Sequence, residues 1–113
     1  MSDGRAPLSE QYAFRTIGDG VAAGLARPEG AALSNTGVVD LGGSTLVFDT
    51  SLTLRSAREI RAAAIERTRR PPSLVANSHW HLDHLMGNQL FADLPIYATT
   101  RTVEIALEKA AGT

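Results

Sequence analysis

All three histidines of the chain lie within six consecutive residues, His79-Trp80-His81-Leu82-Asp83-His84. Three imidazoles and a carboxylate this close together would make a poor hydrophobic core and a good grip on two divalent cations, since imidazole is the commonest protein metal ligand. Side chains at i and i+2 of an extended segment point the same way. His79 and His81 can therefore aim at one ion while Trp80 turns away to pack against a neighbouring hairpin. Asp83 and His84 fall in the turn into a following helix and can aim at a second point nearby. Zinc takes imidazole nitrogen at about 2.0–2.1 Å, and paired ions in hydrolytic sites sit roughly 3.5–4 Å apart, so one short turn can feed both. Once the motif is used, no histidine remains elsewhere to complete either shell.

The rest of the chain reads as alternating strands and helices. Short apolar runs from Tyr12 to Leu25, broken by Gly18, Gly20 and Gly24, predict strands joined by tight turns. Gly37-Val38-Val39-Asp40-Leu41 and Ser44-Thr45-Leu46-Val47-Phe48-Asp49-Thr50 flank a Gly42-Gly43 pair that tolerates positive φ, which predicts a hairpin. The unbroken Leu46-Val47-Phe48 run predicts a second strand buried on both faces. Ser56-Ala57-Arg58-Glu59 has the spacing of a capping box and predicts a helix with Ile60, Ala63, Ala64 and Arg67 on one face, stopped by Pro71-Pro72. Ser73–Asn77 predicts a short strand ending just before the motif, His84–Phe91 a brief helix, Leu94–Ala98 a further strand, and Thr100–Ala111 a last helix with Val103, Leu107 and Ala110 on one stripe. Such alternation argues for a layered α/β (α+β) arrangement with helices on a sheet. The motif then sits where a strand hands over to a helix, and open α/β sheets hold their ligands at the carboxyl ends of strands. Gly87, one turn after the motif, either lets another backbone approach closely or simply breaks a short helix.

Bulk properties exclude several classes. The chain has 113 residues, enough for one small domain, of which residues 1–10 are polar and expected to be loose. A net charge of -1 implies no global pull toward nucleic acid or an anionic membrane. Without cysteine there is no disulfide, thiolate site or cysteine nucleophile. Arg55, Arg58, Arg61, Arg67, Arg69 and Arg70 read as a solvated helix face partly paired by Glu59 and Glu66, without the interleaved aromatics of single-strand nucleic-acid binders. Met1–Arg5 lacks the start of a signal peptide, and no run nears the roughly 18 apolar residues of a membrane span, so the expected location is cytoplasmic.

Asn77-Ser78-His79-Trp80-His81-Leu82-Asp83-His84-Leu85-Met86-Gly87-Asn88 resembles the motif of the metallo-β-lactamase superfamily, H-x-H-x-D-H followed shortly by glycine. The upstream hairpin and the strand Leu46-Val47-Phe48 ending in Asp49 are similar to the family's pattern too, and the likeness runs from about Val38 to Tyr97. The resemblance implies the N-terminal half of an αββα sandwich, with β-hairpins followed by alternating helix and strand. It implies that His79 and His81 bind a first metal and that Asp83 and His84 bind a second. It implies too that Asp83 helps orient the bridging hydroxide and handle its proton, and that Asp49 supports a ligand without being one. Zinc is the expected metal, two ions in the complete fold, with iron in some relatives.

The activity so implied is hydrolysis of a small-molecule ester, thioester, lactone or similar bond by a metal-activated hydroxide, with an iron-dependent sulfur dioxygenase-type relative as the alternative within the fold. In the family a third histidine for the first metal, a bridging carboxylate and a final histidine come from the later part of a chain about twice this length or more. The 113 residues are therefore expected to form one partial domain that becomes a metallo-hydrolase if a C-terminal half completes it. The reading from a different class is a non-catalytic fragment that binds metal weakly, self-associates or pairs with the missing C-terminal half.

Overall fold

The computed structural model describes residues 10–111, so the expectation of a loose N-terminus falls, Glu10 apart, outside the described residues. Six strands form one sheet in sequence order: β1 (Tyr12–Gly18), β2 (Val21–Ala26), β3 (Thr36–Asp40), β4 (Thr45–Phe48), β5 (Leu74–Ala76) and β6 (Ile96–Tyr97). The first four pair antiparallel and the last two join in parallel. Helix α1 (Leu54–Thr68) makes the crossover from β4 to β5. A four-residue helix α2 (Leu82–Leu85) and a 3-10 segment (Met86–Phe91) lead to β6, and α3 (Thr100–Ala111) follows.

The β3–β4 hairpin turns at Gly42-Gly43, with Gly42 at φ +98° and the Leu41 amide bonded to the Ser44 carbonyl at 2.8 Å. Arg70 clamps this turn, donating to Asp40 Oδ1 at 2.7 Å and to the Gly42 carbonyl at 3.0 Å. Its guanidinium and then the Gly42 amide hold the Asp40 carboxyl below the usual carboxylate range, and Arg61 does the same for Asp93. A carboxyl whose folded-state pKa is depressed adds stability above its unfolded value, near 3.9, and that contribution is lost as pH falls through the folded value. Thermal midpoints should therefore fall as pH drops from about 5 to about 3. Asp40→Asn should flatten part of that slope, and an unchanged slope would remove Asp40 from the account.

Helix α1 begins three residues before the expected capping box. Thr53 is its N-cap, and its hydroxyl accepts from the Ser56 amide at 3.1 Å. Ser56 is itself buried in the first turn. Glu59 does not reach back along the helix; it accepts from the backbone amides of Glu10 and Gln11 at 3.1 and 2.9 Å, tying α1 to the start of β1. The end agrees with expectation: Arg69 takes a left-handed φ of +60° and bonds back to the Ile65 carbonyl just before the two prolines. Ile60 and Ala64 face inward as expected, joined by Ala57, while Arg67 is exposed and Ala63 half-buried.

The core lies between α1 and one face of the sheet: Tyr12, Ala32, Val38, Val47, Ala57, Ile60, Ala64, Val75 and Phe91 are buried there. The opposite face corrects the expectation for β4. Cross-strand register sets Val21, Val39, Leu46 and Leu74 in one row, and Ala23, Gly37, Phe48, Ala76 and Tyr97 in the next. Both rows are apolar, yet Phe48 is 42% and Tyr97 58% exposed. The uninterrupted run reports correctly that both faces are apolar, but α1 covers only one. The stripe expected to bury α3 is likewise open, with Val103 47% and Leu107 65% exposed. Thr102 is the helix's buried residue, and Thr99 caps its start by accepting from the Thr102 amide at 3.1 Å.

Candidate metal centre

The motif occupies the carboxyl ends of β4 and β5. Parallel register pairs Phe48 with Ala76, so the next residues, Asp49 and Asn77-Ser78, leave the sheet side by side. Asp49 and Ser51 both adopt left-handed backbone, at φ +67° and +75°, a conformation that costs non-glycine residues about 1–3 kcal/mol each and persists where surroundings over-determine it. Here they do. The Asp49 amide bonds the Ala76 carbonyl at 2.9 Å, the Thr50 amide the His84 carbonyl at 2.9 Å, and the Ser51 carbonyl accepts from the Gly87 amide at 3.0 Å. Thr50 Oγ1 donates to Asn88 Oδ1 at 2.7 Å, and Asn77 and Asn88 exchange amide hydrogen bonds at 2.8 and 3.1 Å. The β4–α1 loop and the helical segment after the motif are thus knitted into one rigid floor.

Gly87 belongs to that floor. A Cβ there would stand 1.9 Å from the Thr50 carbonyl oxygen and 2.8 Å from the Ala57 Cβ. Of the two readings of this glycine, close approach of another backbone is the one the structure bears.

The segment carrying the histidines is bent rather than extended through residues 78–80, and His81 is the N-cap position of α2. The i, i+2 argument therefore does not place the rings, but the bend still gathers them. Ring centroids of His79 and His84 lie 4.1 Å apart and those of His79 and His81 4.7 Å apart, the latter pair at 89°. Asp83 Oδ2 is 3.6 Å from His84 Nε2. Trp80 lies tilted against His81 at 4.4 Å, with the Lys109 ammonium of α3 5.1 Å from its ring centre.

Asp49, 3% exposed, holds His84 Nδ1 through Oδ2 at 2.8 Å, while its two oxygens accept from the Ser78 amide and hydroxyl at 2.7 Å each. A chain of polar contacts also reaches the core. Ser34 Oγ donates to the Asp83 carbonyl, and the Ser34 carbonyl accepts from the Tyr12 hydroxyl at 3.0 Å. Burial pushes the Tyr12 phenol up to about 12, so it remains a donor across the neutral range. Sequence reading placed Asp49 and the motif residues but assigned nothing to Ser78, Asn77 or Ser34. A serine directly before a histidine, or an asparagine after a strand, carries no local signal of its partner.

Among the described residues, no group of three or more His, Asp or Glu side chains is arranged to hold a metal ion as it stands. Two imidazoles on one tetrahedral zinc, with nitrogen at about 2.0–2.1 Å, have ring centres about 5 Å apart. The observed rings are drawn closer than that and meet at an edge or a tilt. The donor chemistry suits zinc; the His79 and His81 rings, 4.7 Å apart, would part by a few tenths of an ångström to share one ion.

The family model described as the metallo-beta-lactamase superfamily covers residues 30–111. The chain belongs to the metallo-beta-lactamase superfamily. The matched stretch extends the likeness seen in the sequence at both ends. Among solved structures, the superfamily fold is shared with the metallo-beta-lactamase from Hirschia baltica (TM-score 0.74, 22% identity, 89% of this chain and 49% of that one). It is shared also with the Erythrobacter litoralis metallo-beta-lactamase (TM-score 0.71, 21% identity, 89% and 47%). The DIM-1 metallo-beta-lactamase is a third (TM-score 0.73, 22% identity, 88% and 47%). The chain spans about half the length of these metallo-beta-lactamases. No curated protein matches it. Among the described residues, no helix is long and apolar enough to cross a membrane.

Proposed function

We propose that the chain is the motif-bearing part of a metal-dependent hydrolase acting on a small-molecule ester, thioester, lactone or similar bond. One observation carries the reading: three imidazoles and a carboxylate gather at the strand ends, and the buried Asp49 holds one of those imidazoles by Nδ1. His79 and His81 would hold one ion, Asp83 and His84 a second, and zinc is the metal this donor set favours over iron. When bound, such ions supply a nucleophile at neutral pH and stabilise developing negative charge. The chain's own residues do the rest. Asp83 offers Oδ2 as a proton acceptor beside His84 Nε2, and Asp49 keeps the His84 ring from turning. The loop floor through Thr50, Asn77 and Asn88 fixes the distance between the two strand ends.

The test is zinc titration and hydrolysis by the purified chain against His81→Ala. The proposal expects near-stoichiometric zinc in the parent and turnover of a simple thioester. In the variant, turnover should vanish and zinc affinity should fall by more than the 10–100-fold typical of losing a residue that only supports a ligand. A parent that binds zinc no more tightly than His81→Ala would overturn it.

A second reading is favoured by the uncovered apolar rows that include Phe48 and Tyr97. On this reading the chain does no chemistry alone and associates through that sheet face, with itself or with a separate polypeptide supplying the rest of the αββα sandwich. Sedimentation separates the readings: a metal-free, inactive chain that self-associates fits the second and not the first.

A further inference from the structure

Ser78 has a hydroxyl that faces two partners at once. Its Oγ lies 2.7 Å from Asp49 Oδ2 and 2.8 Å from His79 Nδ1. Asp49 Oδ2 in turn lies 2.8 Å from His84 Nδ1. An ionised carboxylate only accepts, a hydroxyl donates one proton and accepts through its lone pairs, and a neutral imidazole carries a proton on one nitrogen only. For neutral imidazoles these rules leave one consistent assignment. Asp49 must receive the hydroxyl proton of Ser78, so Oγ has no proton left for His79. His79 Nδ1 must then be the donor, and its Nε2 is left bare. The same carboxylate oxygen receives a proton from His84 Nδ1, and its Nε2 is left bare too. One buried carboxylate therefore sets both rings, His84 directly and His79 through a hydroxyl.

We infer that Ser78 is a positioning residue that relays Asp49 to His79 and fixes His79, like His84, in the tautomer that presents Nε2 as a free lone pair. The inference rests on the metal-binding reading only for its purpose; the proton arrangement stands or falls in the metal-free chain. Serine suits the place because its hydroxyl can give and take at once, which neither alanine nor a second carboxylate could do. The backbone reinforces it, since the Ser78 amide donates to Asp49 Oδ1 at 2.7 Å and anchors the side chain over the carboxylate. Two rings about 4.1 Å apart, each with Nδ1 occupied, then offer only Nε2 to an ion. An imidazole in the other tautomer would have to exchange its proton before binding, and second-sphere partners of this kind are typically worth 10–100-fold in metal affinity.

The experiment is long-range ¹H–¹⁵N correlation of the histidine rings in the ¹⁵N-labelled, metal-free 113-residue chain at pH 8, where protonated and bare ring nitrogens are well separated. Expected for the parent are Nδ1–H forms of His79 and His84. Ser78→Ala should release His79 into a mixture of tautomers and leave His84 as it was, and Ser78→Thr, which keeps the hydroxyl, should restore His79. Asp49→Asn should release both rings with Ser78 intact, and this variant carries the test if Ser78→Ala does not fold. Zinc titration monitored by chelator competition should then show Ser78→Ala weaker by about 10–100-fold and Ser78→Thr near the parent. An Nε2–H form of His79 in the parent, or a His79 ring indifferent to Ser78→Ala, overturns the relay. A parent chain that binds no zinc yet shows the expected tautomers overturns the hydrolase reading and supports the relay.

Discussion

Gly87→Ala is expected to destabilise the chain by about 3 kcal/mol, near the upper end of overpacking costs. The added methyl carbon would sit 1.9 Å from the Thr50 carbonyl oxygen and 2.8 Å from the Ala57 Cβ. Neither neighbour can yield cheaply. Thr50 is backbone between two left-handed residues, pinned by its amide to the His84 carbonyl, and Ala57 is buried in α1. Relief would have to separate the 3-10 segment from the β4–α1 loop and break the Gly87–Ser51 hydrogen bond. A domain of this size holds about 5–15 kcal/mol in all, so the urea midpoint should fall steeply. Gly43→Ala is the control. A Cβ there meets nothing within 4 Å, and its midpoint should move by no more than about 0.5 kcal/mol equivalent. Equal midpoints for the two variants would mean the close approach at Thr50 is not rigid.

Asp49→Ala is expected to lose both stability and metal affinity. The carboxylate is 3% exposed and receives three donors: the Ser78 amide, the Ser78 hydroxyl and His84 Nδ1. Removing it leaves three part-buried donors without their acceptor, at about 1 kcal/mol apiece, and alanine tolerates a φ of +67° less well than aspartate. A total of about 3 kcal/mol is expected, with zinc affinity lower by 10–100-fold because the His84 ring is free to turn. Asp49→Asn separates the two effects. Asparagine accepts left-handed backbone and keeps one acceptor oxygen, but its amide presents a donor to a hydroxyl or imidazole donor. Its melting temperature should lie closer to the parent than its zinc affinity does. A zinc affinity unchanged in both variants would show that Asp49 serves the loop alone.

The sequence carried the local decisions. Gly42-Gly43 announced its hairpin because positive φ is written into the residue. Pro71-Pro72 ended α1 because a proline cannot continue it, and the alternation of strand and helix announced the layered fold. The capping box was misplaced by three residues because Thr53 and Ser56 are both competent hydroxyl caps. Glu59, the carboxylate of the expected box, instead accepts from the amides of Glu10 and Gln11. The continuous apolar run in β4 was read correctly as chemistry and incorrectly as burial, since an apolar face is buried only if something lies on it.

The site divides in the same way. By itself the sequence singled out the three imidazoles and Asp83 as candidate ligands, placed them at a strand-to-helix junction, and gave away the family to which the chain belongs. Only the tertiary structure decided that Asp49 meets His84 across 35 positions, that Ser78 bridges Asp49 to His79, and that Gly87 must have no side chain. The physical reason is range. Capping, turns and periodicity act over a few residues. The parallel register of β4 and β5 brings the two strand ends level and so joins residues that no local signal connects.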